Sequence, residues 1–180
     1  ALLNTQVATA AAALGWLVVE KLRDGHPTSL GVASGAVAGL VAITPACAFV
    51  APWAAVVIGF IAGILCSLAV SLKYKFGFDD SLDVVGVHLV GGIWGSLAIG
   101  LFGASAVNSI GLDGLFYGGG TDQLVSQIIG VVSIAVFVLI ASTVLFAVIK
   151  ATMGLRVTEE EEVIGLDISE HGVLGYGSQD

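Results

Sequence analysis

One histidine lies deep in an apolar stretch of the sequence, and its side chain could carry chemistry. His88 falls within residues 84–112, a run without Asp, Glu, Lys or Arg. Neutral imidazole donates from one nitrogen and accepts at the other, and it gains or loses a proton near physiological pH. A packed histidine, bonded to a neighbouring hydroxyl or backbone group, is the structural alternative. Because an ionisable group is costly in apolar surroundings and usually marks a pathway or a site, we favour a functional role for His88.

Glycines follow this histidine and acids precede it. In a regular helix Gly91, Gly92 and Gly95, at i+3, i+4 and i+7, share its face and leave open space in front of the imidazole. Asp80 and Asp83 lie at the start of the same segment, where a carboxylate accepts unpaired backbone N–H groups. Capping and a functional role are both open for Asp80, whereas capping alone explains Asp83 less well.

The elements that position these residues are membrane-spanning helices. The chain has 180 residues, of which 57% are hydrophobic and 11% charged, and its mean hydropathy is +1.01. A soluble surface needs a larger charged fraction, so an ordinary soluble globule and a disordered chain are excluded. The formal net charge of −8 also excludes a nucleic-acid binder. Cys47 and Cys66 provide neither a metal-binding spacing nor a disulfide framework, and nothing in the sequence predicts a cofactor.

Four runs free of charged residues define the helices. A membrane-spanning helix needs about 20 apolar residues. One run, residues 25–72, is too long for a single span, and Pro45 and Pro52 break it around residues 46–51. We therefore predict an all-α integral membrane protein, a five-helix bundle whose transmembrane helices cover approximately residues 2–19, 29–46, 53–72, 82–103 and 124–149.

The second of these helices is rich in small residues. Gly31, Gly35 and Gly39 recur at four-residue spacing, a pattern that lets membrane helices approach closely, so we predict a packing role for them. Ser34 and Thr44 on the same helix are candidates for lining a path. Such hydroxyls more often bond to a carbonyl of their own helix or to a neighbour.

Basic residues give the orientation. Lys and Arg flank the predicted helices only after helices one, three and five, hence on one side of the membrane: Lys21, Arg23, Lys73, Lys75, Lys150 and Arg156. The positive-inside rule then puts Ala1 outside and the C-terminal tail in the cytoplasm. Because the first apolar run begins without Met or a preceding basic residue, we expect Ala1 to lie inside a longer protein rather than in a signal peptide.

We predict two parts, a transmembrane core, residues 1–150, and a polar tail, residues 151–180. The tail holds seven acids and one Arg, and therefore most of the negative charge. Its run Glu159–Glu162 is either simply solvated or part of an ordered segment. Glycines that alternate with apolar residues favour an ordered, turn-rich segment that docks on cytoplasmic loops.

Four separate motifs resemble the ammonium transporter family, in the order in which that family has them. The stretch Asp79-Asp80-Ser-Leu-Asp83-Val-Val-Gly-Val-His88 resembles its tenth membrane helix, in which an acidic pair precedes a pore histidine. Residues 4–12, Asn-Thr-Gln-Val-Ala-Thr-Ala-Ala-Ala, resemble its seventh helix, and residues 34–47, from Ser34 to Cys47, its eighth. Residues 154–172 resemble its cytoplasmic C-terminal region.

The resemblance implies an architecture. The family forms homotrimers in the plasma membrane, and each subunit has its own pore, built from two inverted five-helix repeats plus a final helix. This chain would supply helices seven to eleven and the tail of that eleven-helix fold. It would lack the other pore histidine, so it should not conduct alone.

The resemblance also implies a function, ammonium transport. Ammonium is recruited at the outer mouth and loses its proton, and ammonia then passes two pore histidines while the proton is relayed. His88 matches the second histidine, Val84 an apolar lining position, and Ser34 a position near the inner exit. Asp80 and Asp83 match acids that support the fold and the inner pore.

The tail of this family couples the subunits and responds to a trimeric PII-type nitrogen-signalling protein. The matching tail residues are Gly154, Arg156, Glu160, Glu162, Gly165, Asp167, His171 and Gly172. Val173 departs from the family, which often has Glu at this position.

Three alternatives remain open. An ammonium sensor would bind the same substrate and signal through the tail without flux. A channel for another small neutral solute would share the architecture without needing a histidine pair. An enzyme is the least favoured, because the predicted spans hold one His and no nucleophile, metal cluster or phosphate loop.

Overall fold

The structure is helical, as the sequence predicts. A computed structural model describes residues 1–175, and its α-helices are α1 (Leu2–Asp24), α2 (Ser29–Ile43), α3 (Pro52–Val70), α4 (Leu72–Phe76), α5 (Val90–Phe102), α6 (Asp122–Thr152), α7 (Glu159–Ile164) and α8 (Leu166–Ser169). A π-helix, Val84–Leu89, leads into α5, and a 3₁₀ turn, Leu115–Tyr117, follows it. Among residues 1–175 the only β-type pairing is an isolated bridge between Val50 and Gly103.

Four segments of the described chain are long and apolar enough to cross a membrane. They are Leu2–Asp24, Pro52–Phe76, Val84–Phe102 and Asp122–Thr152. Helix α2 is equally apolar in character but shorter. These segments make the chain a multi-pass membrane protein, which confirms the prediction from composition.

The helix ends differ from the predicted ones for local reasons. Helix α1 continues past Val19 to Asp24 and ends at Gly25, whose φ of 83° suits glycine. Helix α2 ends at Ile43 rather than at residue 46, because Pro45 cannot continue the helical hydrogen bonding. The segment predicted to start at residue 82 starts after Asp83 and opens as a π-helix.

Small residues let the first three long helices pack closely. The chain divides into two compact units, and in the first, Ala1–Ser133, α1 contacts both α2 and α3, while α5 contacts α2 and α3. A Cβ added at Gly59 or Gly63 of α3 would collide with the α1 backbone at Ala8 or Ala12. Gly39 meets the same stretch of α1 from α2. The predicted packing role of the small residues in α2 is confirmed.

A buried amide fixes the break between α2 and α3. The Asn4 side chain is 5% exposed, and its Nδ2 donates to the carbonyl oxygens of Cys47 and Val50, each at 2.8 Å. Both carbonyls belong to the irregular segment after α2, whose backbone groups lack helical partners. Asn4 therefore ties the start of α1 to this break and satisfies two backbone acceptors.

The second unit runs from Ile134 and comprises the later part of α6 with α7 and α8. No residue of α6 is buried, and large apolar side chains cover its surface. Helices α7 and α8 contact each other and are short and polar.

Candidate functional site

Asp80 caps the segment that carries the histidine. Its Oδ1 accepts from the backbone N–H of Val84 at 2.7 Å, and its Oδ2 accepts from that of Val85 at 2.9 Å. These are two of the N–H groups that a helix start leaves without a partner in its own helix. The capping alternative for Asp80 is confirmed.

Asp83 has a different role, as its position suggested. Its Oδ1 lies 2.6 Å from Lys73 Nζ, and its backbone is left-handed, with φ of 57°. Its carbonyl accepts from the backbone N–H of Val87 at 2.8 Å. Asp83 therefore joins the first turn of α4 to the first turn of the π-helix through an ion pair and a backbone bond.

His88 lies in the π-helix with its side chain exposed. Within the described residues its imidazole makes no hydrogen bond. The functional role and the packed alternative both stay predictions. Neighbouring Gly86 and Val87 are buried and face α3, where a Cβ on Gly86 would collide with Val70. The π-helix thus anchors one face and presents the imidazole on the other.

The glycines after His88 divide between these two faces. Gly91 and Gly95 are buried against α2, and a Cβ on Gly95 would collide with the carbonyl oxygen of Ala42. Only Gly92 has open space beside it, with no described atom within 4 Å of an added Cβ. The prediction that all three glycines share the histidine's face is wrong, because Gly91 and Gly95, one α-helical turn apart in α5, lie on its packed side, whereas Gly92 is about 100° further round the helix.

The other candidate pore residues lie on neighbouring elements. Ser34 is half-buried on α2, which contacts the π-helix, and Val84 is 49% exposed at the start of that helix. Among the described residues no side-chain hydrogen bond joins Ser34 to His88. Thr44, the second hydroxyl considered, donates to the carbonyl oxygen of Leu40 at 2.6 Å and so bonds to its own helix.

Two charged residues make contacts that the sequence did not predict. Lys73 was used only for orientation, although it pairs with Asp83. Glu20 lies just beyond the first predicted helix, residues 2–19, but belongs to α1. It is 8% exposed, and its carboxylate accepts from Trp16 Nε1, Thr28 N and Thr28 Oγ1 at 2.8 to 3.3 Å. Gly25 as a helix terminator, and Trp16 one turn before Glu20, were the available signals.

The tail forms an ordered segment around two short helices. Thr158 caps α7 reciprocally with Glu161, and Arg156 pairs with Glu162 at 2.8 Å, whereas Glu160 is exposed. Glycines stand where the backbone turns, with positive φ at Gly154, Gly165 and Gly172, and His171 lies in the last of these turns. The sequence prediction of a turn-rich segment is confirmed for residues 154–175.

Carboxylates stabilise both turns of the tail. The backbone N–H of Gly175, 2.8 Å from Asp167 Oδ2, lowers the pKa of Asp167, and the Thr158 hydroxyl lowers the pKa of Glu161. A lowered pKa in the folded tail means that these bonds contribute above the ordinary carboxyl pKa and are lost as pH falls through the lowered value. The tail conformation is therefore fully supported at neutral pH.

No three His, Cys, Asp or Glu side chains of the described residues converge as a metal site would require. The site consists of the exposed His88 imidazole on an apolar helix surface, with open space at Gly92. The turn that precedes this helix is held by Asp80 and by the ion pair of Asp83 with Lys73. Such a wall can contact a small polar molecule.

The chain matches the family described as "Ammonium Transporter Family" over residues 1–176. It is 53% identical over 178 residues to an ammonium transporter of Mycobacterium tuberculosis, covering 96% of this chain and 37% of that protein. The Mep2 structure from Saccharomyces cerevisiae superposes with a TM-score of 0.79 at 36% identity, covering 84% of this chain and 37% of that one. A structure described as "Sensor Amt Protein" gives a TM-score of 0.82 at 32% identity, covering 93% and 40%.

The chain thus spans well under half the length of the relatives it matches. The match nevertheless extends over the candidate pore residues and nearly the whole tail, at an identity far above the level at which only the fold is shared. The chain belongs to the ammonium transporter family.

Proposed function

We propose that this chain forms one wall of the conduction path of an ammonium transporter. The observation that carries the proposal is the exposed His88 imidazole, which has no hydrogen-bond partner among the described residues and lies beside the open space at Gly92. An unsatisfied imidazole on an apolar membrane helix is costly unless it meets a pathway or a polar partner. Ammonia passing along the wall meets that requirement.

The chemistry follows from the cost of moving charge. A bare ammonium ion in a low-dielectric pore carries a large desolvation penalty, whereas neutral ammonia loses far less. An apolar wall therefore favours removal of the proton before passage, after recruitment of ammonium at the outer mouth. The His88 imidazole can accept from ammonia or donate to it, and it can hold a relayed proton.

The remaining site residues take supporting positions. Val84 contributes an apolar surface one turn before His88, and Ser34 on α2 contributes a hydroxyl near the inner exit. Asp80 and Asp83 do not contact the substrate; they fix the start of the π-helix. In this assignment Asp80 and Asp83 position the π-helix, and the His88 imidazole contacts ammonia and relays the proton.

We also propose the larger architecture. The five apolar helices α1, α2, α3, the π-helix with α5, and α6 each cross the plasma membrane, as the second part of an eleven-helix inverted repeat in a homotrimer. Residues 1–150 form the transmembrane core and residues 151–180 the cytoplasmic tail. Basic residues on one side support an outer Ala1 and an inner tail.

Flux through the complete protein tests the proposed function. The protein is reconstituted in liposomes, an inward ammonium gradient is imposed, and internal pH and charge movement are followed. We expect ammonium-dependent signals that empty liposomes do not give and that urea or glycerol gradients do not produce. Flux of a neutral solute without ammonium flux would favour the channel alternative, and absence of both would reject transport.

A sensor is the second candidate, and similarity to the structure described as "Sensor Amt Protein" supports it. A sensor would bind ammonium and change the protection of residues 154–175 without measurable flux. Ammonium titration monitored by hydrogen exchange in the tail, run beside the flux assay, distinguishes the two. Binding together with flux supports a transporter.

Asp83→Ala should damage assembly and transport together. It leaves Lys73, whose side chain is 15% exposed, without its carboxylate and puts Ala in a left-handed conformation. We expect lower stability than that of the unmodified protein, measured by thermal unfolding of the purified assembly. Asp24→Ala, which breaks an exposed pair with Arg23, is the control and should have little effect. A well-assembled but inactive Asp83→Ala protein would instead give Asp83 a direct part in conduction.

Deletion of residues 152–180 should leave membrane insertion intact and change transport rate or its regulation. We propose that Gly154, Arg156, Glu160, Glu162, Gly165, Asp167, His171 and Gly172 form a docking segment for a PII-type nitrogen-signalling protein. Flux is measured with and without that regulator, and Asp167→Asn, which weakens the bond to Gly175, is the milder companion variant. Identical flux and identical response in the deleted protein would contradict the proposal.

A further inference from the structure

A lysine ammonium stands at the centre of the turn that precedes the π-helix. Lys73 Nζ contacts Asp83 Oδ1 at 2.6 Å and donates to the carbonyl oxygen of Asp80 at 3.0 Å. The Lys73 side chain is 15% exposed and that of Asp83 30%, so solvent screens the pair less than a surface ion pair. One cation therefore holds both acids of the turn, one through its side chain and one through its backbone.

Asp83 adopts a conformation that needs such support. Its φ of 57° and ψ of 31° are left-handed, and it is the only non-glycine residue of the described chain with positive φ. Side chains disfavour this region, although Asp tolerates it better than most. Because Asp83 directly precedes Val84, its backbone angles set the direction in which the π-helix leaves the turn. The same angles therefore set the position of His88.

A nearby lysine lacks this geometry and provides a comparison. Lys75 also belongs to α4, is exposed, and lies over the ring of Phe76 at 5.9 Å. Among the described residues it forms no ion pair. General attraction of basic residues to the membrane surface applies equally to both lysines, so it does not account for the contacts of Lys73.

We propose that Lys73 is a positioning residue for the π-helix: its ammonium holds Asp83 in the left-handed conformation and thereby fixes the register of Val84–Leu89 and the placement of His88. Lys73 does not contact the substrate. The conformational part of this inference is independent of transport, whereas its consequence for flux rests on the proposed function.

Hydrogen exchange of the complete protein tests the conformational part. We expect Lys73→Met to increase amide exchange of the peptide covering residues 84–90 by about tenfold, because opening of the π-helix becomes easier. Lys75→Met removes an equal charge from the same helix and should leave that exchange unchanged. Lys73→Arg keeps a cation in reach of both acceptors and should restore most of the protection. Equal exchange in Lys73→Met and the unmodified protein would overturn the proposal.

Glycine at position 83 tests whether the left-handed backbone is the link. Gly adopts positive φ without the penalty of a side chain, so Asp83→Gly should make the π-helix independent of Lys73. We expect Lys73→Met to change exchange by less than about twofold in the Asp83→Gly protein. A tenfold change in both backgrounds would show that Lys73 acts by another route and would overturn the proposal. If Lys73→Met alone fails to assemble, recovery of assembly in the double variant supports it, and failure of the double variant contradicts it.

Transport kinetics separate positioning from general stability. Recruitment of ammonium occurs away from this turn, so displacement of His88 should lower the maximal rate by roughly tenfold and leave the apparent KM nearly unchanged. Lys73→Arg should recover the rate. If Lys73→Met changes the amide exchange but the unmodified protein transports no ammonium, the proposed function alone is refuted. If Lys73→Met loses flux while its amide exchange stays unchanged, the role of Lys73 alone is refuted.

Discussion

Replacement of His88 by Ala should reduce ammonium flux by roughly 100-fold or change which species crosses, while the protein still assembles. The expected loss corresponds to removal of one preorganised hydrogen-bonding group from a water-poor site. The fold should tolerate the change, because the side chain is exposed and makes no hydrogen bond within the described residues. Flux in proteoliposomes and the elution volume of the purified assembly measure the two effects.

Two further variants sharpen the test of His88. His26→Ala removes an exposed imidazole from the loop between α1 and α2 and should leave flux unchanged. His88→Gln keeps a donor and an acceptor but cannot carry a proton. It should therefore retain more ammonia passage than proton movement, seen as internal alkalinisation with a smaller charge signal. Uptake at the unmodified rate and selectivity in His88→Ala would remove His88 from the mechanism.

The sequence predicted the structure best where a single physical requirement determines the residue type, as in membrane spans and helix caps. Long charge-free runs predicted membrane helices because the bilayer excludes charge, and the structure has helices at all of these runs. Asp80 could be predicted as a cap from its place before an apolar segment. The tail motif Thr158-Glu-Glu-Glu161 is a capping box and was readable in the same way, although the glutamate run was considered only as charge.

The sequence was least informative where the geometry depends on tertiary contacts. The first charged residue marks where a charge-free run ends but not where a helix ends, so the predicted first helix stopped at Val19 whereas α1 continues to Asp24. The ion pair of Lys73 with Asp83 joins residues on two elements whose meeting depends on the turn between them. No pattern of residue types signals the π-helix. The split of the glycines also depends on packing, because only the contacts with α2 and α3 decide that Gly91 and Gly95, one turn apart in α5, lie on the buried side while Gly92 does not.

That separation leads to the second large effect, expected for Gly95→Ala. A methyl group at Gly95 would collide with the carbonyl oxygen of Ala42, and it would also lie 2.9 Å from the Ala42 Cα. Because both atoms belong to the backbone of α2, neither can move aside as a flexible side chain would. We expect a loss of about 3 kcal/mol or more in stability, at or above the usual cost of overpacking, with little assembled protein recovered.

Substitution of the neighbouring glycines by Ala should give a graded series of stabilities. Gly92→Ala meets no described atom within 4 Å, so it should assemble normally and gain up to about 1 kcal/mol from helix propensity. Gly91→Ala would lie 3.3 Å from Cγ1 of Val41, a side-chain atom that can shift, and should fall between the two. Thermal unfolding of the three purified proteins gives the order directly.

If the space at Gly92 belongs to the conduction path, Gly92→Ala should lower flux without lowering stability, whereas Gly95→Ala lowers both. Equal stability of the Gly92 and Gly95 variants would contradict the division of the glycines between an open and a packed face.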